Sequence, residues 1–172
     1  MKKLSLIMGL LVCSFSVSAN PAENSAKEAV VKKLYAEHLK SNTNFNISSL
    51  FTRDFNLVLA HENKASETNS EVACIDYDYI IQGQDFDAKE IKRTLKIKAL
   101  PNGRVEAQFN NFNSKNIVHY VLTCQNNRCL IDDIIEQDET SKQPKNSFKQ
   151  SVRQCLRTQF PKISPPKNNF LI

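Results

Sequence analysis

The sequence predicts an α+β fold: N-terminal helices, then an antiparallel four-stranded sheet, then a C-terminal helix stapled to the core by a disulfide. Three observations lead there. Apolar residues recur at three- and four-residue steps up to about residue 60, they alternate with polar ones from Leu95 onward, and the helical step returns after Ser147. The last of those helical stretches carries Cys155 on its apolar side.

Each element has its own signal. Ser25 and Glu28 form an expected capping box for a first helix over about 26–41, with Val31, Leu34, Tyr35 and Leu39 on one side. A second helix is expected over about 48–60, where Ile47, Leu50, Phe51, Phe55, Val58 and Leu59 define one buried face. Residues 62–71 are polar and read as a loop. Leu95, Ile97 and Ala99 alternate with Thr94, Lys96 and Lys98, and Pro101-Asn102-Gly103 turns the chain into a strand with Val105, Ala107 and Phe109 on one face. Asn113-Ser114-Lys115 is the next expected turn, and strands at about 116–124 and 129–137 complete an antiparallel meander. The last helix starts near Ser147, with Gln150 completing a capping box. Phe148, Val152, Cys155 and Leu156 form its apolar stripe, and Lys149, Arg153 and Arg157 form a basic row at four-residue spacing.

The first residues predict export. Lys2 and Lys3 precede an apolar run, Leu4 to Val12, which is too short to span a bilayer. Val17 and Ala19 then place small residues before a cleavage site after Ala19, so residues 1–19 read as a signal peptide. Lipidation at Cys13 competes, but Val12 stands where such a site wants a small residue. The expected product is therefore soluble and periplasmic, with release to the medium as the alternative. It comprises a single domain over residues 20–157 and a flexible basic tail over 158–172. No later segment is apolar enough for a membrane helix.

Cleavage would also remove one of five cysteines, leaving Cys74, Cys124, Cys129 and Cys155. An even number in an oxidising compartment reads as two disulfides. Cys124 and Cys129 bracket Gln125-Asn126-Asn127-Arg128 between strand-like segments, so a hairpin would set them opposite each other. Cys74 and Cys155 then remain for each other. A metal site built on Cys-x4-Cys lacks a second cluster of ligands.

Charge is uneven. Without Lys2 and Lys3 the formal charge falls from +5 to +3, and the seven basic residues after Glu139, unaccompanied by any acid, leave residues 20–139 at −4. An acidic body with a basic C-terminal segment suits either docking to a charged partner or internal pairing.

The motif search is mostly exclusion. Only Gly83 and Gly103 remain in the expected mature chain, which rules out a Walker loop, a dinucleotide-binding glycine cluster and a nucleophile elbow. His38, His61 and His119 show no metalloenzyme spacing. His119 alternates with Ile117 and Val121 and would gain a catalytic role only if Asp132 or Asp133 faced it across the sheet. The segment from Asp76 to Asp87 is acidic, but its spacing does not fit a calcium loop and points to capping and turn roles. Asp132-Asp133 reads as a strand end, one carboxylate outward and one bonded to backbone. Nucleic-acid binding is disfavoured by the acidic body, the lack of tryptophan and a basic row without aromatic interleaving. No catalytic residue, metal or cofactor is expected.

Several segments in order resemble a family of small exported bacterial proteins, the domain of unknown function 3828. They are Val30-Val31-Lys32-Lys33-Leu34-Tyr35, Ser49-Leu50-Phe51-Thr52, Cys74-Ile75-Asp76-Tyr77-Asp78 with Gln82-Gly83-Gln84-Asp85, and Leu130-Ile131-Asp132-Asp133-Ile134. The resemblance covers about residues 28–157; Leu130 departs from it, standing where an aromatic residue is usual. It implies a nuclear-transport-factor-like or cystatin-like fold, helices on a curved antiparallel sheet, and brings no enzyme activity with it. The expected function is binding of another protein in the cell envelope, as an immunity-type inhibitor of an effector or lytic enzyme. One alternative is a small-molecule-binding or hydrolytic cone lined by Tyr35, His119, Tyr120 and Asp133. Another is a structural role at anionic envelope surfaces through the basic tail.

Overall fold

The computed structural model describes residues 20–40, 45–69, 72–126, 128–137 and 144–163, and the fold is α+β as the sequence predicts. The expected signal peptide, with Cys13, and residues 164–172 of the expected tail lie outside the described residues.

Helix α1 spans Pro21–His38 and begins earlier than the Ser25–Glu28 capping box implies. Asn20 is the N-cap, accepting from the Ala22 amide at 3.1 Å, and Pro21 presets the first turn. Ser25 therefore lies inside the helix, and Glu28 reaches out to accept from the Ala99 amide at 2.9 Å.

The expected second helix is two pieces. A 3₁₀ turn, Ile47–Leu50, is separated from α2, Arg53–Asn69, by Phe51-Thr52. The chain stops to pair there: the Thr52 amide donates to the Ile131 carbonyl at 2.8 Å, and Phe51 forms a parallel bridge to Ile131. The Thr52 hydroxyl then accepts from the Phe55 amide and caps α2. Residues 62–69 continue the helix rather than forming a loop. Their polarity marks a mainly exposed face, and Glu62 and Ala65 turn inward. A short helix the sequence reading missed, α3 (Ala88–Thr94), is capped by Asp87, whose carboxylate accepts from the Lys89 and Glu90 amides.

The sheet runs in chain order, every neighbouring pair antiparallel: β1 (Lys96–Ala99), β2 (Val105–Asn111), β3 (Ser114–Gln125), β4 (Arg128–Gln137) and β5 (Pro144–Ser147). The four expected strands are present. The fifth is a polar tetrapeptide without alternation, joined to β4 at two positions, and periodicity has no means of finding it. The β2–β3 turn falls on Phe112-Asn113, earlier than expected, because Asn111 pairs with Ser114. Asp132-Asp133 is no strand end either: β4 runs on to Gln137, with a register shift opposite Val121 and Leu122 that inserts Asp132 as an extra residue.

Helix α1 lies across the sheet and buries Val31, Leu34 and Tyr35 against Ala107, Phe109, Val118, Tyr120 and Ile134. Helices α2 and α4 (Phe148–Gln159) pack together at the β4 end, where Phe55 stacks on Phe148 and Tyr79 lies tilted against both, with ring centroids 4.9–6.0 Å apart. The folded unit extends past residue 157, since α4 continues to Gln159 and Phe160 and Ile163 pack on the core. Both expected disulfides are present: Cys124–Cys129 bridges directly opposed residues of β3 and β4, and Cys74–Cys155 ties α4 to the loop after α2.

The two bonds close loops of very different length, with sequence separations of 81 and 5. Chain entropy alone then predicts that replacing Cys74 and Cys155 by serine costs about 4 kcal/mol, and replacing Cys124 and Cys129 about 2 kcal/mol. Urea unfolding of the two double variants checks the order; equal losses, or the reverse order, would contradict it.

Candidate functional site

The four residues proposed to line an internal pocket do not share one. Tyr35 and Tyr120 do meet: the Tyr120 hydroxyl donates to the Tyr35 hydroxyl at 3.0 Å, and Tyr35 donates to the Ile80 carbonyl at 3.1 Å. Both are fully buried among Ile80, Ile81, Phe109 and Ile134, and that burial pushes both phenols well above their ordinary range. Their rings lie between α1 and the sheet, edge to face with centroids 6.2 Å apart. His119 must face the other way, because neighbouring residues of a strand point to opposite sides. Its Nε2 lies 3.1 Å from Oε2 of Glu106, the residue opposite it on β2, and not beside Asp132 or Asp133. Its Nδ1 is buried and has no hydrogen-bond partner among the described residues. Burial opposes ionisation of Glu106, but His119 and Lys98 outweigh it and hold the carboxyl below its usual range. Asp133 is structural: it accepts from the Ser147 hydroxyl, the Ile134 amide and the Lys149 amide, fixing the start of α4.

The basic row of α4 is largely consumed inside the molecule. Lys149, only 7% exposed, lies 2.7 Å from Asp54 and 2.9 Å from Asp132, and Arg153 also pairs with Asp54. One run of exposed cations lies on α3 and β1: Lys89, Lys92, Arg93, Lys96 and Lys98, with Arg93 4.0 Å from Glu90 and Lys98 3.1 Å from Glu106. A net charge of −4 over residues 20–139 hides this ribbon.

Beside the ribbon stands the β2–β3 turn. Phe112 and Asn113 have φ of +50° and +63°, the two left-handed positions of a type I′ hairpin turn. Asn113 suits such a position; a bulky phenylalanine does not. Phe112 is nevertheless 59% exposed. The tip is held rigidly: the Asn113 amide donates to Glu90, the Asp87 amide donates to Asn111 Oδ1, and Asn111 Nδ2 donates to the Asp85 carbonyl. Phe112, Lys89 and Arg93 border a groove of about 380 Å³. Glu90 and Asp87 also line it, so the groove itself carries two cations and two carboxylates, with Arg93 4.0 Å from Glu90; the excess positive charge lies beside it, on Lys92 and Lys96.

A second concavity, of about 410 Å³, opens at the end of α1. His38 Nε2 lies 2.5 Å from Asp78 Oδ2, while Asp78 Oδ1 accepts from the Ile80 and Ile81 amides. The loop that carries Asp78 closes through main-chain bonds between Asp78 and Gly83. The acidic segment thus does the capping and turn work its spacing suggested, at Asp78 and Asp87. Among the described residues no group of three or more His, Cys, Asp or Glu is placed to hold a metal. What the sequence could not show is that His38, forty residues away, joins Asp78. Burial opposes ionisation of Asp78, yet the bond and charge of His38, with the two amides, hold its carboxyl below the usual range. Glu28 is also lowered, chiefly by the Ala99 amide, and Asp54 by Lys149 and Arg153 against its burial.

A group whose folded pKa lies below its unfolded value stabilises the fold above the unfolded value and loses that contribution as pH falls through the folded one. The urea midpoint should therefore fall on acidification below about pH 5. His38→Ala should move the Asp78 part of that loss to higher pH, since it removes the main group favouring the carboxylate. Acid limbs that coincide for the two proteins would contradict the assignment.

No family model matches the chain, and no curated protein matches it. Among solved structures it is similar to a protein of unknown function from Bacteroides thetaiotaomicron, at 18% identity and a TM-score of 0.46, over 65% of this chain and 87% of that one. A likeness at that level carries no argument. Among the described residues no helix is long and apolar enough to cross a membrane.

Proposed function

We propose that this protein is an exported, non-enzymatic module that binds another protein of the cell envelope, acting as an immunity-type inhibitor of an effector or lytic enzyme. The observation that carries the reading is Phe112, an aromatic ring at the tip of a hairpin, in a left-handed backbone and turned to solvent. Left-handed backbone costs an ordinary side chain about 1–2 kcal/mol, and the ring buries too little here to offset that. Such a residue gains its value when a partner covers it, as buried aromatic anchors do at interface centres. Mounted on a braced turn, it has the shape to plug another protein's cleft. Lys89, Lys92, Arg93 and Lys96 beside it favour a partner with an acidic surface.

The disulfides support an oxidising compartment, and therefore export. The non-enzymatic part is supported by the histidines, whose described hydrogen bonds go to Asp78, the Leu57 carbonyl and Glu106. No hydroxyl or thiol is held against an imidazole in those bonds. Membership of the domain of unknown function 3828 family belongs to the same proposal and adds a fold without an activity.

Phe112→Asn should raise stability by about 1 kcal/mol, because asparagine tolerates the left-handed turn. The same change should abolish partner binding. A photo-crosslinking residue in place of the exposed Lys115, next to the turn, should give one adduct in the producing cell envelope. That adduct should vanish with Phe112→Asn and weaken with Arg93→Glu. An adduct indifferent to both changes, or a destabilised Phe112→Asn protein, would overturn the reading.

A further inference from the structure

Away from the hairpin tip, we propose that the cleft formed by His38, Glu62 and Asp78 binds a small organic cation, an ammonium or guanidinium group carried on an apolar body. Ile47, Leu59 and Ile75 supply aliphatic wall, and Tyr77 and Tyr79 supply aromatic wall. At about 410 Å³ the space lies toward the small end of ligand pockets.

Charge decides the class. Two carboxylates line the cleft, and its lining holds no lysine or arginine. Asp78 is ionised and oriented by His38 and two amides. Glu62 is only 6% exposed, and both of its described hydrogen bonds, from the Ser66 hydroxyl and the Cys74 amide, fall on Oε1. Oε2 has no hydrogen-bond partner among the described residues and is not sealed from solvent. A carboxylate so placed, in a half-apolar surround, is compensated best by an incoming cation. Tyr79 stays a neutral phenol, since burial and the Asp78 charge push it up to about 12. An anion meets the uncompensated Glu62 carboxylate beside the His38–Asp78 pair, and a neutral molecule gains only the walls.

The test uses the disulfide-bonded protein and three phenylethyl probes that differ in head group and charge: phenethylammonium, 2-phenylethanol and 3-phenylpropionate, titrated by NMR. Phenethylammonium should shift Leu59, Ile75 and Tyr77 saturably and bind at least about tenfold more tightly than either other probe. Glu62→Gln keeps an oxygen for Ser66 and Cys74 and should weaken the amine by about tenfold or more. Leu59→Trp, which fills the cleft, should abolish its binding. Phe112→Asn should leave it unchanged, so this site and the hairpin tip can fail separately. An amine that binds no better than the alcohol, or keeps its affinity in Glu62→Gln or Leu59→Trp, would overturn the assignment.

Discussion

The extra residue in β4 is the constraint on which the rest of the structure depends. Without the shift at Asp132, that side chain and Asp133 would simply alternate across the sheet. With it, Asp132 accepts from the Thr52 hydroxyl and meets Lys149, while Asp133 accepts from Ser147 and the Lys149 amide. One bulge thereby starts α2, starts α4 and joins both to the sheet. It also lets Thr52 reach the Ile131 carbonyl, which is why the second helical stretch breaks where its apolar pattern does not.

That junction is built from charge, and the choice has consequences. A lysine almost wholly buried between two carboxylates is an arrangement that packed apolar residues would match or better for stability alone. Its effect is on geometry: Lys149 and Arg153 fix the angle between α4 and α2 through Asp54. Cys74–Cys155 then holds the same helix further along. The basic C-terminal helix, which looked from composition like a docking surface, is in this way turned inward. The surface proposed to meet a partner includes the α3–β1 ribbon, whose cations are diluted in the sequence by the acids around them.

The parts of the fold legible in the sequence are those set by period. The alternations from Leu95 to Ala99 and from Val105 to Phe109 place β1 and β2, and the Ser147 cap places α4 to the residue. Cys124 and Cys129 follow from the hairpin between them. The illegible parts are set by contacts across the chain. Residues 62–69 lack an apolar stripe, yet stay helical because Glu62 and Ala65 have something to face. Asn20 displaces Ser25 as a cap because proline follows it. The expected pocket fails on strand geometry, since His119 and Tyr120 are consecutive and share no face. The two described concavities need His38 beside Asp78, and Phe112 beside Arg93. No local pattern carries either pairing.

Both surfaces hang on one segment. The loop from Asp78 to Asp87 begins at the cation cleft, passes Phe86, which lies against the His38 ring with centroids 5.8 Å apart, and ends as the cap of α3. It is not slack: Asp78 and Gly83 close its first half, Gln82 takes a φ of +61° to allow the turn, and Asn111 clamps Asp85 and Asp87. With its ends and middle all bonded, the loop holds the cleft and the Phe112 groove in fixed relation. A rigid anchor loses little freedom when it docks, so more of the burial of one aromatic ring is available as affinity. That makes Phe112 worth its strained backbone: an exposed ring on a mobile turn would give up much of the same gain to ordering.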